Sequence, residues 1–342
     1  MAAPAALPPN PDAPLIAALG RVIAETLASL VPRDRPVAHL DFPRMPNVGD
    51  SIIWRGTMTL LRRQGYAVPC YTCSDLTYDR RALARRLGNG TLLLSGGGNL
   101  GDLYEPHQRL RERVIADFPD HRIVQLPQSI HFASPAALAR ARAVFDGHRD
   151  LTLLVRDEPS LAIARREFRA PSRMCPDMGF ALGPLPRPWA ATRDVVWLAR
   201  SDKESVGAGP DPPPAGVRRE DGLDDDPEPA IRAYRLLARQ LRRHPALRPW
   251  LAPAIVRAQP AVTRSRLARG CRILSSGRVV VTDRLHGHIL CVLLGIPHFV
   301  VDNSYGKVRG FHAAWMRESR LARVCASAAE ALECAAKAVA HG

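Results

Sequence analysis

The chain has 342 residues, 46% of them hydrophobic and 24% charged, and carries a formal net charge of +15. These values describe a folded globular protein with room for two domains and exclude a disordered chain. Aromatics are only 6%, and neither a zinc-finger spacing nor a ribonucleoprotein motif occurs, so nucleic acid is not the expected partner of that charge; phosphorylated small molecules and anionic lipid headgroups suit it as well.

Residues 15–31 are apolar but interrupted by Arg21 and Glu25, with no basic start and no convincing cleavage site. This predicts an amphipathic first helix and a cytoplasmic protein. Residues 37–42 read as a strand emptying into Asn47-Val48-Gly49-Asp50, with helical spacing over 52–63 and Asp50 placed to cap that helix. Cys70-Tyr71-Thr72-Cys73 is the sole Cys-x-x-Cys among seven scattered cysteines, so reduced structural thiols are expected, not zinc, a redox pair or a disulfide framework. Residues 91–95 run into Gly96-Gly97-Gly98-Asn99-Leu100-Gly101-Asp102. Glycines there let backbone N–H groups approach an anion at a helix start, yet the run matches neither the dinucleotide fingerprint nor the P-loop, and a plain tight turn is an equal alternative.

Residues 123–126 lead to Pro127-Gln128-Ser129, and 151–155 end on Arg156-Asp157-Glu158, with Pro159 and Ser160 opening a helix. Pairing with Asp157 or Glu158 is the structural alternative for Arg156. The texture shifts after Asp177-Met178-Gly179-Phe180, and 183–188 reads as a linker. The expected division is 1–185, 186–325 and a final helix, 326–342, packing back across the first domain. Strand character returns at 195–199, while 201–228, rich in Pro, Gly and acids, is expected to be a surface loop more than an active-site lid. Ile231, Tyr234, Leu237, Ala238 and Leu241 then form an apolar helical stripe opposite Arg232, Arg235, Arg239 and Arg242.

The β-branched run 279–281 empties into Thr282-Asp283-Arg284-Leu285-His286-Gly287-His288. A buried strand of this kind ends where open α/β sheets bind ligands, so Arg284 and His286 are candidates: a planar cation for phosphate or carboxylate, and an imidazole able to exchange protons near neutral pH. Arg284 paired with Asp283 is the structural alternative, and His288 is expected to cap or pack. Residues 289–294 form a short helix closed by Gly295, and the strand 296–301 reaches Asp302-Asn303-Ser304-Tyr305-Gly306-Lys307. Recurring strand, polar loop and helix make parallel sheets covered by helices the economical α/β reading.

Asn47-Val48-Gly49-Asp50, Ser95-Gly96-Gly97-Gly98-Asn99, Leu126-Pro127-Gln128-Ser129, Arg156-Asp157-Glu158-Pro159-Ser160, Pro176-Asp177-Met178, Asp283-Arg284-Leu285-His286 and Gly295-Ile296-Pro297 occur in an order that resembles the polysaccharide pyruvyl transferases. The resemblance implies a GT-B-like fold, two Rossmann-like domains with parallel sheets facing a central cleft. It implies phosphoenolpyruvate as co-substrate, a lipid-linked or nucleotide-linked saccharide diol as acceptor, and a pyruvate ketal plus phosphate as products, in exopolysaccharide, capsule or cell-wall polymer synthesis.

Carried onto this chain, Arg156, Arg284, Leu285 and His286 would bind the donor, and His286 would be the general acid. Asp50 or Asp102 would deprotonate or orient the acceptor. Asn47, Gly49, Gly97, Gly98, Asn99, Gln128, Ser129, Asn303 and Lys307 would line acceptor or phosphate loops. No metal or cofactor is called for. The arginine-striped helix is expected to pack on its own domain with its arginines in water, and peripheral contact with the anionic inner face of the plasma membrane through it is the alternative. The competing readings are a GT-B nucleotide-sugar glycosyltransferase and a noncatalytic basic protein binding an anionic polymer.

Overall fold

The computed structural model describes residues 9–200, 213–214, 216–221, 225, 228–303 and 306–341. Most of the 201–228 segment, together with Ser304 and Tyr305, lies outside them. The protein is α/β with two parallel sheets, of seven and five strands. The chain divides into two compact units, one of residues 21–181 and 224–267, the other of 1–20, 182–223 and 268–342. Two stretches far apart in sequence make up the first unit, and three make up the second.

The larger unit holds β1 (Val37–Leu40), β2 (Tyr71–Cys73), β3 (Thr91–Leu94), β4 (Gly97–Gly101), β5 (Ile123–His131), β6 (Leu151–Val155) and β7 (Ser172–Met174). Their order is β2-β1-β3-β5-β6-β7, with β4 also bonded to β5. β1 and β3 are buried at every position, as strands covered on both faces must be. Helices α2 (Val48–Arg63), α3 (Arg80–Leu87), α4 (Glu105–Asp117), α5 (Pro135–Asp146) and α6 (Glu158–Glu167) connect them. Leu40, Leu92, Val114, Ile123 and Leu153 belong to one buried apolar cluster.

The glycine run departs from its expected role. Gly97 begins β4 rather than a helix, and α4 starts only at Glu105. Gly101 has φ +135, and a Cβ there would stand 1.7 Å from the His131 carbonyl oxygen, so glycine lets two strands approach instead of cradling an anion at a helix start.

Two helices complete this unit. α7 (Pro229–Arg243) buries Ile231, Tyr234, Ala238 and Leu241 and exposes Arg232, Arg235, Arg239 and Arg242, as its stripes predict. α8 (Arg248–Ser275) runs 28 residues with Pro253 and Pro260 inside it. Ile255 and Val262 of α8 join Phe42, Trp54 and α7 in a second apolar cluster.

The smaller unit holds β8 (Arg193–Leu198), β9 (Val217–Glu220), β10 (Gly277–Thr282), β11 (His298–Val301) and β12 (Ala322–Cys325), in the order β12-β11-β10-β8-β9. Its helices include α9 (Leu285–Leu294), α10 (Lys307–Trp315) and α11 (Ala328–His341). β9 corrects the reading of 201–228 as loop throughout: Val217 to Glu220 pair in register with Val195 to Leu198. α11 buries Ala331, Leu332 and Ala335 in the cluster of Val195, Trp197, Val281 and Val301, on this sheet.

α1 (Ala13–Leu30) is, among the described residues, the helix long and apolar enough to span a membrane by length and composition. Its stripe of Ile16, Leu19, Ile23 and Leu27 is buried in the protein, at 1–5% exposure, which is the amphipathic use the sequence predicts.

Strand order reverses once in each sheet, between β1 and β3 in one and between β8 and β10 in the other. Connections leave such a pair in opposite directions and open a crevice beyond its carboxyl ends, where α/β sheets bind ligands. Asp41 and Gly96 follow one pair, and Arg200 and Arg284 the other.

Three fully buried histidines make the fold acid-sensitive. Burial lowers the pKa of His39 to about 3 and that of His298 to about 4, and pushes His288 well below its ordinary value. Each takes up a proton more readily when unfolded, so their contribution is complete above about pH 6.5 and is lost as pH falls from there towards the folded values. Unfolding followed between pH 7.5 and 5 should show this decline. His39→Phe keeps a ring against Trp54, where the present centroids are 3.8 Å apart, and should remove about 1.4 kcal/mol per pH unit from the acid slope. An unchanged slope would contradict the account of His39.

Candidate active site

At the reversal in the seven-stranded sheet, β1 is followed by Asp41, the one non-glycine residue with positive φ among those described, at +70. Its carboxylate is 2.7 Å from His107 Nδ1 on α4. Asp41, and then burial working against it, leave the His107 pKa above the ordinary imidazole value, with Asp50 adding to the rise. Asp50 is half-buried in the first turn of α2. It does not cap that helix: Asn47 does, accepting the Gly49 N–H at 2.9 Å. Asp41, Asp50 and His107 thus form a compact acid–base group. Asp41 and His107 were absent from the sequence reading, for which the available signal was an acid directly after a buried strand.

Several expected ligand-loop residues instead hold the sheet edge together. Gln128 donates to the Ser95 carbonyl at 3.0 Å and to Asn99 Oδ1 at 2.8 Å, and accepts the Asn99 N–H at 3.1 Å. Arg111, buried on α4, donates to Gln125 Oε1 at 2.6 Å and to Asn99 Oδ1 at 2.7 Å. Burial lowers its pKa to about 10, against the opposing pull of Asp41 and Glu112. Gly97 and Gly98 start β4 and Gly49 lies in α2. Asp102 accepts the Ala133 and Ser134 N–H groups at 2.9 and 2.6 Å. Burial pushes the Asp102 pKa up, but those donors outweigh it and leave the carboxyl below its usual value, a weaker base than expected.

Arg156 is also placed differently from expectation. Its guanidinium is 1% exposed and donates to Asp177 Oδ2 at 2.5 Å and to Ser129 Oγ at 3.0 Å. Ser129 in turn donates to Asp157, whose other oxygen caps α6 through the Ser160 N–H. Asp177, arriving from beyond β7, supplies the buried ion pair for which the sequence offered Asp157 or Glu158. The cation ties together the ends of β5 and β6.

At the reversal in the five-stranded sheet, Arg284 forms an ion pair with Asp221, beyond β9; the two side chains are 11% and 35% exposed. Asp283, the partner in the structural alternative, accepts the Arg200 N–H at 2.9 Å. Burial raises the Asp283 pKa, opposed by Arg284 and Arg200. Thr282 Oγ1 donates to the Leu198 carbonyl and accepts the Arg284 N–H, fixing the turn into α9. Gly287 fits there because an added Cβ would stand 2.6 Å from that oxygen. His286 is half-buried in the first turn of α9, whereas Leu285, at 2% exposure, is core. Asn303 accepts the Lys307 N–H at 2.8 Å, and Asp302 accepts those of Val308 and Arg309, so this loop starts α10.

Behind His286 runs a chain of histidines. His298 Nδ1 lies 2.8 Å from the Ile296 carbonyl and must donate to it, so His298 Nε2 accepts from His288 Nδ1 at 2.6 Å. His288 Nε2 then accepts from His312 Nδ1 at 3.1 Å. One backbone carbonyl fixes three tautomers and ties α9 to β11 and α10. Among the described residues, Cys325, Glu330 and Cys334 have ligand atoms within 4.8 Å of one another, a spacing that a metal ion could use. Glu330 is already engaged there, accepting the Ala326 N–H at 2.7 Å.

The model of the family described as polysaccharide pyruvyl transferase matches residues 47–305. The chain belongs to the polysaccharide pyruvyl transferase family. It is 32% identical over 299 residues to pyruvyl transferase 1 of Schizosaccharomyces pombe, covering 82% of this chain and 70% of that one. It is 29% identical over 302 residues to EpsO of Bacillus subtilis, provisionally named a pyruvyl transferase, covering 85% and 88%. A solved structure of a functionally uncharacterized Klebsiella pneumoniae protein aligns with a TM-score of 0.59 over 90% of this chain and 99% of that one, at 16% identity, a likeness of fold alone. This pyruvyl transferase family member carries Arg284 and His286 at a strand-order reversal, within the matched span.

The buried pair gives a test of stability. Arg156→Met strands the Asp177 carboxylate and should cost about 3–5 kcal/mol in chemical denaturation. Arg156→Met with Asp177→Leu should recover much of that loss. A single variant as stable as the parent would contradict the structural role.

Proposed function

We propose that this protein transfers the enolpyruvyl unit of phosphoenolpyruvate to two hydroxyls of a saccharide in a polysaccharide precursor, giving a pyruvate ketal and phosphate. The observation that carries the reading is Arg284 with His286 at the reversal between β8 and β10, in a chain of this family. The donor bears a phosphate and a carboxylate, and the Arg284 guanidinium suits either in bidentate fashion. Its resident partner Asp221 is a third exposed and can yield to such an anion.

In the proposed sequence His286 gives a proton to the methylene carbon, and C2 becomes electrophilic. One acceptor hydroxyl adds to C2 and passes its proton to the bridging phosphate oxygen. The C–O bond to phosphate breaks, phosphate leaves with the electron pair, and the second hydroxyl closes the ketal and returns its proton to His286. Arg156 acts here as a positioning residue, holding Ser129 and Asp157. The proposed setting is cytoplasmic synthesis of exopolysaccharide, capsule or cell-wall polymer in a GT-B-like enzyme, with a lipid-linked or nucleotide-linked acceptor. The arginines of α7 suit an anionic membrane surface.

Calorimetric titration with phosphoenolpyruvate should show binding that Arg284→Ala weakens at least about tenfold, since a hydrogen-bonded charge is lost. His286→Ala should still bind donor but release no phosphate on adding acceptor. Donor binding indifferent to Arg284, or heat only from a nucleotide diphosphate, would overturn the reading.

A further inference from the structure

At the edge of the seven-stranded sheet, beside β2, lies a concavity of about 540 Å³ that uses none of the residues assigned to transfer. Its size is within the range of small-molecule sites. One wall is the face of α3 bearing Ala82, Arg85 and Arg86, and the other is the face of α8 bearing Arg248, Ala252, Pro253, Val256 and Arg257. These positions recur at three, four and five residues, so each wall is one helical face with a small residue opening space beneath its arginines.

Four guanidiniums meet one carboxylate, Asp79, whose Oδ1 caps α3 through the Ala82 N–H at 2.9 Å. Among the described residues none of the four arginines forms an ion pair. Arg86 stands 5.9 Å from the Tyr71 ring centroid, and Arg248 donates to the Tyr78 carbonyl while its Nε is buried without a partner. Cations gathered in a concave site repel one another and focus a positive potential into it, a state relieved by a bound anion of high charge. The two walls offer two pairs of planar forks, and a planar fork binds a phosphoryl group through paired hydrogen bonds.

We infer that this groove binds a diphosphate group. On the reading proposed above, with which this identification of the ligand stands, the group is the activating diphosphate of the acceptor. The binding itself requires no turnover. A diphosphate can come from a soluble ester or from a lipid, and the lining carries apolar surface for either in Pro249, Ala252, Pro253 and Val256.

The test titrates the full chain with inorganic pyrophosphate at low salt. Arg85 and Arg257 are exposed, so Arg85→Gln with Arg257→Gln should fold normally, which a thermal melt verifies. The expected result is binding that weakens about tenfold or more in that double variant and is retained in Arg284→Ala. No pyrophosphate binding, or equal binding by the double variant, overturns the inference. Loss only in Arg284→Ala overturns it too, by placing the anion at the donor site. Phosphatidylcholine vesicles with and without farnesyl diphosphate identify the source. Arginine-dependent sedimentation with the loaded vesicles supports a lipid diphosphate, and pyrophosphate binding without sedimentation supports a soluble one. The phosphoenolpyruvate titration against Arg284→Ala reports on the transferase reading separately, so either idea can fail alone.

Discussion

Every strand in both sheets is parallel, so each sheet gathers all its strand ends along one edge, and the polar groups there must be satisfied in crowded, partly dry surroundings. The protein meets this constraint with arginines. Arg156 joins Asp177 and Ser129, Arg111 joins Asn99 and Gln125, and Arg284 joins Asp221. Removing one partner of a buried pair leaves an uncompensated charge, so these contacts are expensive to break even where their net gain is small. They hold the loops on which any ligand site at the strand ends must be built.

Within that frame the exposed and the buried cations divide the work. Arg156 and Arg111, each at 1% exposure, are structural. Arg284 is less buried and sits over a partner that is partly in water. Its backbone is fixed by Thr282, and the close approach of Gly287 fixes the start of α9. The histidine chain anchors the same helix from behind. Preorganisation of this kind lets a short segment, Asp283 to His288, present a cation and an imidazole without relying on a long loop.

The sequence made the buried strands legible because β-branched and leucine runs covered on both faces leave little ambiguity, as at β3 and β10. Arg284 and His286 were legible because they follow such a run directly. Other features depended on partners that no local pattern reveals. Asp177 reaches Arg156 from 21 residues away, and His288, His298 and His312 meet although their spacing has no periodic meaning. Helix α8 was hidden by Pro253 and Pro260, which lower local helical propensity but are tolerated when tertiary packing carries the helix. β9 was hidden in a stretch rich in acids, glycine and proline, and β4 in a glycine run whose geometry serves strand contact.

The central claim is that the carbon skeleton of phosphoenolpyruvate becomes part of a ketal on a saccharide. Its most direct measurement is carbon NMR of a reaction containing phosphoenolpyruvate labelled with carbon-13 at C2, run in heavy water with a saccharide diphosphate acceptor. The account predicts a quaternary ketal carbon on the saccharide, one deuterium in the adjoining methyl group and one phosphate released per ketal. Label recovered as free pyruvate with no ketal, or deuterium absent from the methyl group of a ketal product, would contradict it.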